Sequence, residues 1–238
     1  FTNQKLINIS IAQINTIEFE NVDSVRFLWN SSINNLSAHN SKLFIRGINC
    51  NNLSIDHSSE VNIAGLNNSI QNIHNQGFIN FTGLNAQTVI KNIINNKNAS
   101  WKVVNGGNFT IEKTIDNNGW IEGCDGTNCN WHFNQTDTIL ITGKGKLFTP
   151  RVKSNVSFVV NENFWDISRE ASGNTTVFNN DTIALGANSN LIQWEINGKN
   201  TSSTVLFNRE GVQNIKAEKL TGNSNVGFIN PGRKTIEK

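Results

Sequence analysis

Leu43–Asn49 reads LFIRGIN, Val61–Asn67 reads VNIAGLN and Ile79–Asn85 reads INFTGLN, so one seven-letter pattern recurs at an interval of 18 residues. Within the copies apolar and polar residues alternate, as in Val61-Asn62-Ile63 and Ile79-Asn80-Phe81. That period of two is the signature of a strand with one buried face. Working outward, Ser41 falls on Ser59, Leu43 on Val61, Ile45 on Ile63 and Gly47 on Gly65. Val25 and Phe27 fit one step earlier, and Ile7 and Ile9 a step before that. Each unit carries a second, less regular apolar pair, such as Ile17/Phe19, Leu53/Ile55 and Ile70/Ile73. A unit of 18 residues has no interior of its own, whereas stacked units bury one another's apolar faces. The spacing therefore predicts a solenoid in which like residues lie about 4.8 Å apart along the axis.

The Gly-x-Asn after each copy is read as a corner. Gly47, Gly65 and Gly83 permit a positive φ, and Asn49, Asn67 and Asn85 are expected to stack as a ladder of side-chain amides. Asn accounts for 44 of the 238 residues, more than turns alone would use, and amide ladders give that excess a structural role. A left-handed β-helix also has 18 residues per turn, but it wants an apolar residue every six positions, and Asn49, Asn67 and Asn85 break that register. The expectation is a right-handed parallel β-helix, all-β, spanning 1–238 as one segment, with regular rungs over 1–95 and irregular rungs with loops over 96–238. In the second part strand-like pairs continue at Trp101/Val103, Phe109/Ile111, Trp131/Phe133, Ile139/Ile141, Phe158/Val160 and Val205/Phe207, with outward loops expected near Asn117–Cys129 and Glu170–Thr175. The competing expectation is an unrelated β-domain beginning near residue 100.

The formal net charge is +2, and no Lys/Arg run is dense enough for a nucleic-acid or polybasic membrane surface. No run of 18 apolar residues and no signal-peptide pattern occurs, so a soluble chain is expected, with no integral membrane segment. The chain starts at Phe1 rather than Met, which is read as a fragment of a larger secreted protein.

Few residues invite chemistry. Cys124 and Cys129, in CDGTNC, are read either as a short disulfide or as two free thiols; zinc is disfavoured without a second ligand pair. Cys50 is expected to point into the core. His39, His57 and His74 follow at intervals of 18 and 17 and in a solenoid are read either as a column of imidazoles, which would bind a transition metal or sense acid pH, or, in preference, as a weak surface ladder or coincidence. Glu18, Glu20 and Asp23 are close in sequence, yet Glu18 and Glu20 flank Phe19 and so occupy the solvent face. Most of the six Trp sit in strand phase and are expected in the core. No catalytic, cofactor-binding or metal-binding residue is assigned, and no cofactor is expected.

The Asn-rich rungs, NNLSIDHSSEVNIAGLNNS followed by GFINFTGLN, resemble the secreted passenger domains of Gram-negative autotransporters, and in style the vacuolating-cytotoxin-like passengers of Helicobacter-type bacteria. The resemblance implies a right-handed β-helix exported through an outer-membrane barrel, found secreted or on the cell surface, with a close Cys pair compatible with export. No serine-protease motif of that family is present. The functional expectation is a non-catalytic adhesin or host-interaction rod whose partner is a host cell-surface protein or glycan, or a second copy of itself, and not nucleic acid. The alternatives are a glycan-cleaving β-helix or tail-spike, with paired carboxylates in a groove, and a membrane-acting toxin segment that assembles through strand edges.

Overall fold

The computed structural model describes residues 1–10, 12–29, 31–65, 67–82, 87–104, 107–123, 129–133, 138–148, 152–154, 158–160, 164–166, 174–178, 182–186, 189–190, 193–198, 203–216, 219–221 and 224–237. These form a β-solenoid. Its first turns alternate short and long strands: β1 (Ile7–Ile9), β2 (Gln13–Glu20), β3 (Val25–Phe27), β4 (Ser31–His39), β5 (Lys42–Arg46), β6 (Ile48–Ile55), β7 (Glu60–Ala64), β8 (Asn68–Asn75), β9 (Phe78–Thr82), β10 (Gln87–Asn95), β11 (Ser100–Val104), β12 (Gly107–Asn117) and β13 (Trp120–Glu122). Then follow β14 (Cys129–Phe133), β15 (Ile139–Thr142) and β16 (Lys146–Phe148). Among the described residues the odd-numbered strands up to β13, then β16 and four later strands, make a 12-stranded sheet. The long strands begin a 16-stranded sheet.

The repeat read from the sequence is the register of the short-strand sheet. Ile7, Val25, Leu43, Val61 and Ile79 are successive parallel partners, and the column continues through Trp101, Ile121 and Leu147. Pairing runs across residue 100 from β9 to β11 to β13. The stretch expected as a loop at Asn117–Cys129 contains a paired strand instead, because Trp120–Glu122 lies in register with Ser100–Lys102.

Each long strand turns a corner at its middle. In β4, buried Ile33 and Leu36 enclose Asn34 and Asn35, which both point outward. The same break recurs at Asn51-Asn52 in β6. On the buried side, Ile33, Cys50, Ile70, Ile90 and Ile111 form one column and Leu36, Leu53, Ile73, Ile93 and Ile115 another. All ten are essentially inaccessible to solvent. Each aliphatic side chain so buried is worth roughly 1.5–3 kcal/mol. In β12 an extra residue shifts the register at this corner. Beyond it the long strand divides: β14 pairs with the first half of β12 and β15 with the second.

Where the turns lengthen, the interior fills with rings. Phe81 stacks on Trp101 at 4.6 Å, and Trp131 lies 5.7 Å from Phe109 and 5.8 Å from Trp101. The indole N–H groups of Trp101 and Trp131 have no partner among the described residues. That costs about 1–3 kcal/mol each, set against the large ring area removed from water.

Two asparagine ladders hold successive turns in register. The outer one runs along the mid-strand corner: Asn35 donates to Thr16 (3.2 Å), Asn52 to Asn35 (2.8 Å), Asn72 to Asn52 (2.9 Å), Asn92 to Asn72 (2.8 Å), and the Thr114 hydroxyl to Asn92 (3.0 Å). The inner ladder is fully buried. Asn75 donates to Asn95 and Asn95 to Asn117, each at 2.8 Å. Asn95 also donates to the Trp120 carbonyl and Asn117 to that of Lys146, while the Gly77 and Gly119 amides donate to Asn75 and Asn117. Glycine is required beside it: a Cβ on Gly119 would lie 2.3 Å from the Ala99 carbonyl oxygen.

The Asn52 and Asn95 rungs have similar amide–amide hydrogen-bond lengths, 2.8 Å for each donated bond, and opposite solvent exposure, so they separate burial from bonding. Asn95→Ala strips partners from buried amide and carbonyl groups and is expected to cost about 2–3 kcal/mol, whereas the exposed Asn52→Ala costs under about 1 kcal/mol because water replaces the lost bonds. Urea midpoints of the two variants check the difference.

Candidate binding face

The short-strand sheet buries one set of side chains and presents the other, so its outward residues form columns parallel to the axis. One column runs Arg26, Phe44, Asn62, Asn80, Lys102 and Glu122. Its neighbour runs Lys42, Glu60, Phe78, Ser100, Trp120 and Lys146. A groove of about 580 Å³ opens on this face, lined among others by Asp23, Arg26, Lys42, Phe44, Glu60 and Asn62. Phe44 is 37% and Phe78 51% exposed although both lie in paired strands. Trp120 is half-buried, with Lys146 Nζ 5.6 Å from its ring centroid. At the edge of the same sheet, Arg46 lies 5.4 Å from the ring of Trp29, itself 56% exposed.

The polar groups divide by sign. Glu60 Oε1 accepts from the Asn62 and Asn80 amides at 3.1 Å each, and Glu122 accepts from the Trp120 indole at 3.1 Å. Arg26, Lys42 and Lys102 form no ion pair among the described residues. The face therefore offers unpaired cations and exposed rings beside Asp23, Glu60 and Glu122, with one oxygen of Glu60 and one of Glu122 engaged in these bonds.

The residues singled out from the sequence are placed elsewhere. Asn49 and Asn67 do not stack on each other. Asn49 lies within β6 in register with Ser69, whereas Asn67 takes a positive φ of 63° in the turn before β8. The chain re-enters its strand directly after Gly47, but after Gly65 it takes two further residues first. The residue that secures this corner is the adjacent Asn68: it accepts from the Gly47 and Ile48 amides and donates to the Ala64 and Gly65 carbonyls. Asn85, the third expected member, lies outside the described residues, as does Cys124. Cys129 opens β14 opposite Gly107.

The three histidines form no column, because the turns are unequal. His39 is in register with Glu20, His74 with Ser54 and Ile94, and His57 sits in a turn. Among the described residues no group of three metal-ligating side chains converges. Glu18 and Glu20 lie on the exposed side of β2 and flank buried Phe19, and Glu18 is 3.2 Å from His39. Of the Trp, Trp101 and Trp131 are core residues, while Trp29 and Trp120 reach the surface. The sequence reading missed Phe44 and Phe78, yet a signal was there. In Leu43-Phe44-Ile45 and Phe78-Ile79-Asn80 an aromatic stands where the alternation calls for a polar residue.

Comparison with protein-family models, curated proteins and solved structures gives no match to this chain.

Two titratable groups away from the face are tied to the fold. Cys50 is buried, and burial pushes its thiol up to about 12, even though hydrogen bonding with the backbone at Asn52 and Leu36 acts the other way. In a Cys124→Ser/Cys129→Ser background the remaining thiol is expected to resist an aromatic disulfide reagent at pH 8 and to react once urea unfolds the chain. Asp56 closes the corner after β6, accepting from Ser59 Oγ at 2.6 Å and from the Asn40 and Ser58 amides at 3.2 Å. Partial burial raises its carboxyl, but these bonds and that of the Ser58 hydroxyl outweigh it and hold it below the usual carboxylate range. A depressed carboxyl stabilises the fold above its unfolded-state value of about 3.9 and loses that contribution as pH falls through the folded-state value. The stability gap between wild type and Asp56→Asn is therefore expected to be widest near neutral pH and to close below about pH 4, as read from urea midpoints across pH.

Proposed function

We propose that this chain is a non-catalytic interaction rod, a passenger-like segment secreted by or displayed on a Gram-negative cell, which contacts a host cell-surface glycan or protein through the outward face of its short-strand sheet. The observation that carries the reading is that face itself: exposed Phe44 and Phe78 with unpaired Arg26, Lys42 and Lys102, fixed on hydrogen-bonded strands. Aromatic and arginine side chains on a rigid support are what recognition surfaces use, because little conformational freedom is lost on contact. The resemblance of the Asn-rich rungs to autotransporter passengers supports the secreted setting, and a stack of hydrogen-bonded turns suits display at a distance from the cell.

A hydrolase is the second reading, favoured by one observation: Asp23 and Glu60 line the same groove. Two carboxylates flanking a sugar are the minimum for glycoside hydrolysis. Against it, Glu60 Oε1 already accepts from two side-chain amides of the face itself.

The test applies fluorescently labelled protein to cultured mammalian epithelial cells and, in parallel, assays reducing-end release from a panel of polysaccharides. Saturable cell binding without release is expected. No saturable binding, or release abolished by Glu60→Gln, contradicts the proposal.

A further inference from the structure

The aromatics on the short-strand sheet are placed periodically. Phe44 lies on β5, Phe78 on β9 and Trp120 on β13, which are alternate strands in the sheet order. At the inter-strand spacing this puts a ring at every second turn, about 9.6 Å apart along the axis, with Phe44 one column to the side of Phe78 and Trp120. The turns between them carry polar outward residues: Glu60 and Asn62 on β7, Ser100 and Lys102 on β11. A sugar chain in a twofold screw conformation turns equivalent ring faces to one side at every second residue, an interval of comparable length, and the apolar face of a sugar ring stacks on an aromatic.

We propose that this face binds an extended acidic glycan lying along the solenoid axis. Phe44 and Phe78 serve as stacking platforms two turns apart, and Arg26, Lys42 and Lys102 receive carboxylate or sulfate groups. Charge selects the acidic class. The three cations have no ion-pair partner among the described residues, while the carboxylates beside them, Asp23, Glu60 and Glu122, make no ion pair there either, and Glu60 Oε1 and Glu122 Oε2 already accept from Asn62, Asn80 and Trp120. A ligand anion that reaches Arg26, Lys42 or Lys102 therefore breaks no ion pair among the described residues. The repeat selects a polymer over a compact ligand, since the rings and cations extend over six strands from β3 to β13 rather than converging on one point. The inference deepens the interaction-rod reading and rests on it for the biological setting, though not for the binding itself.

The purified chain is titrated with a heparin oligosaccharide, an oligogalacturonate and, as a neutral linear control, cellohexaose. Both acidic probes are expected to bind, at least about tenfold more tightly than cellohexaose, and to weaken as salt is raised. Arg26→Gln/Lys42→Gln and Phe44→Ala/Phe78→Ala are each expected to lose about tenfold or more with circular dichroism and urea midpoint unchanged, whereas Ser32→Ala/Ser54→Ala on the other sheet binds as wild type. Failure to bind either acidic probe, equal affinity for cellohexaose, or unaltered binding by both face variants overturns the proposal. Cells treated with heparinase, chondroitinase and sialidase separate the two readings. Undiminished binding to stripped cells overturns the glycan assignment and leaves the interaction rod standing. Loss of cell binding on stripping supports it. Binding to the acidic probes by a chain that ignores intact cells sinks the rod and leaves the glycan face.

Discussion

Every turn of this chain leaves the amides and carbonyls of its strands pointing along the solenoid axis, and only a turn above and a turn below satisfy them. That constraint fixes much else. Parallel partners must be residues of like kind, because a step of one position would send every buried Ile of a strand to the solvent side. The interior is then a set of columns, and a column accepts a new member only if its size and polarity suit the previous one. The inner ladder of Asn75, Asn95 and Asn117 obeys the same rule with polar groups: each amide is both donor and acceptor, so each member completes its neighbour's bonding where water does not reach.

The repeat was legible where two periods coincide. Ile7, Val25, Leu43, Val61 and Ile79 alternate with polar neighbours and recur at 18, and they are register partners. The ladders were not legible, because the interval of 18 belongs to the first turns of one sheet. Asn62 and Asn80 are 18 apart, but Asn35 and Asn52 are 17 apart and Asn52 and Asn72 are 20 apart. The corners absorb the difference, so projecting the interval of 18 onto Asn49, Asn67 and His57 carried them off their columns. Nor does composition distinguish Asn67 from Asn68: only the local entry into β8 decides that the second is buried and bonded on both sides.

The candidate face followed a subtler rule. Alternation identifies buried residues, and its exceptions identify surface features. An apolar side chain at an outward position adds little to the core, so Phe44 and Phe78 stand out from the alternation on this sheet, and in the proposed reading they are where a partner makes contact. In the proposed reading rigidity and recognition are linked through the same strands: the columns that fill the interior space the outward rings at whole turns, and a partner bound to that face would read the period of the core.

The stacking itself is tested most directly by cross-linking across turns. Glu60 and Phe78 are register partners on adjacent strands, about 4.8 Å apart and inside the Cα range of a disulfide. Glu60 and Ser100 are two strands apart, about 9.6 Å and outside it. In a Cys124→Ser/Cys129→Ser background, Glu60→Cys/Phe78→Cys is expected to oxidise to a mapped intramolecular disulfide and Glu60→Cys/Ser100→Cys is not. Cross-linking of the second pair in preference to the first contradicts the register on which the rest of the account stands.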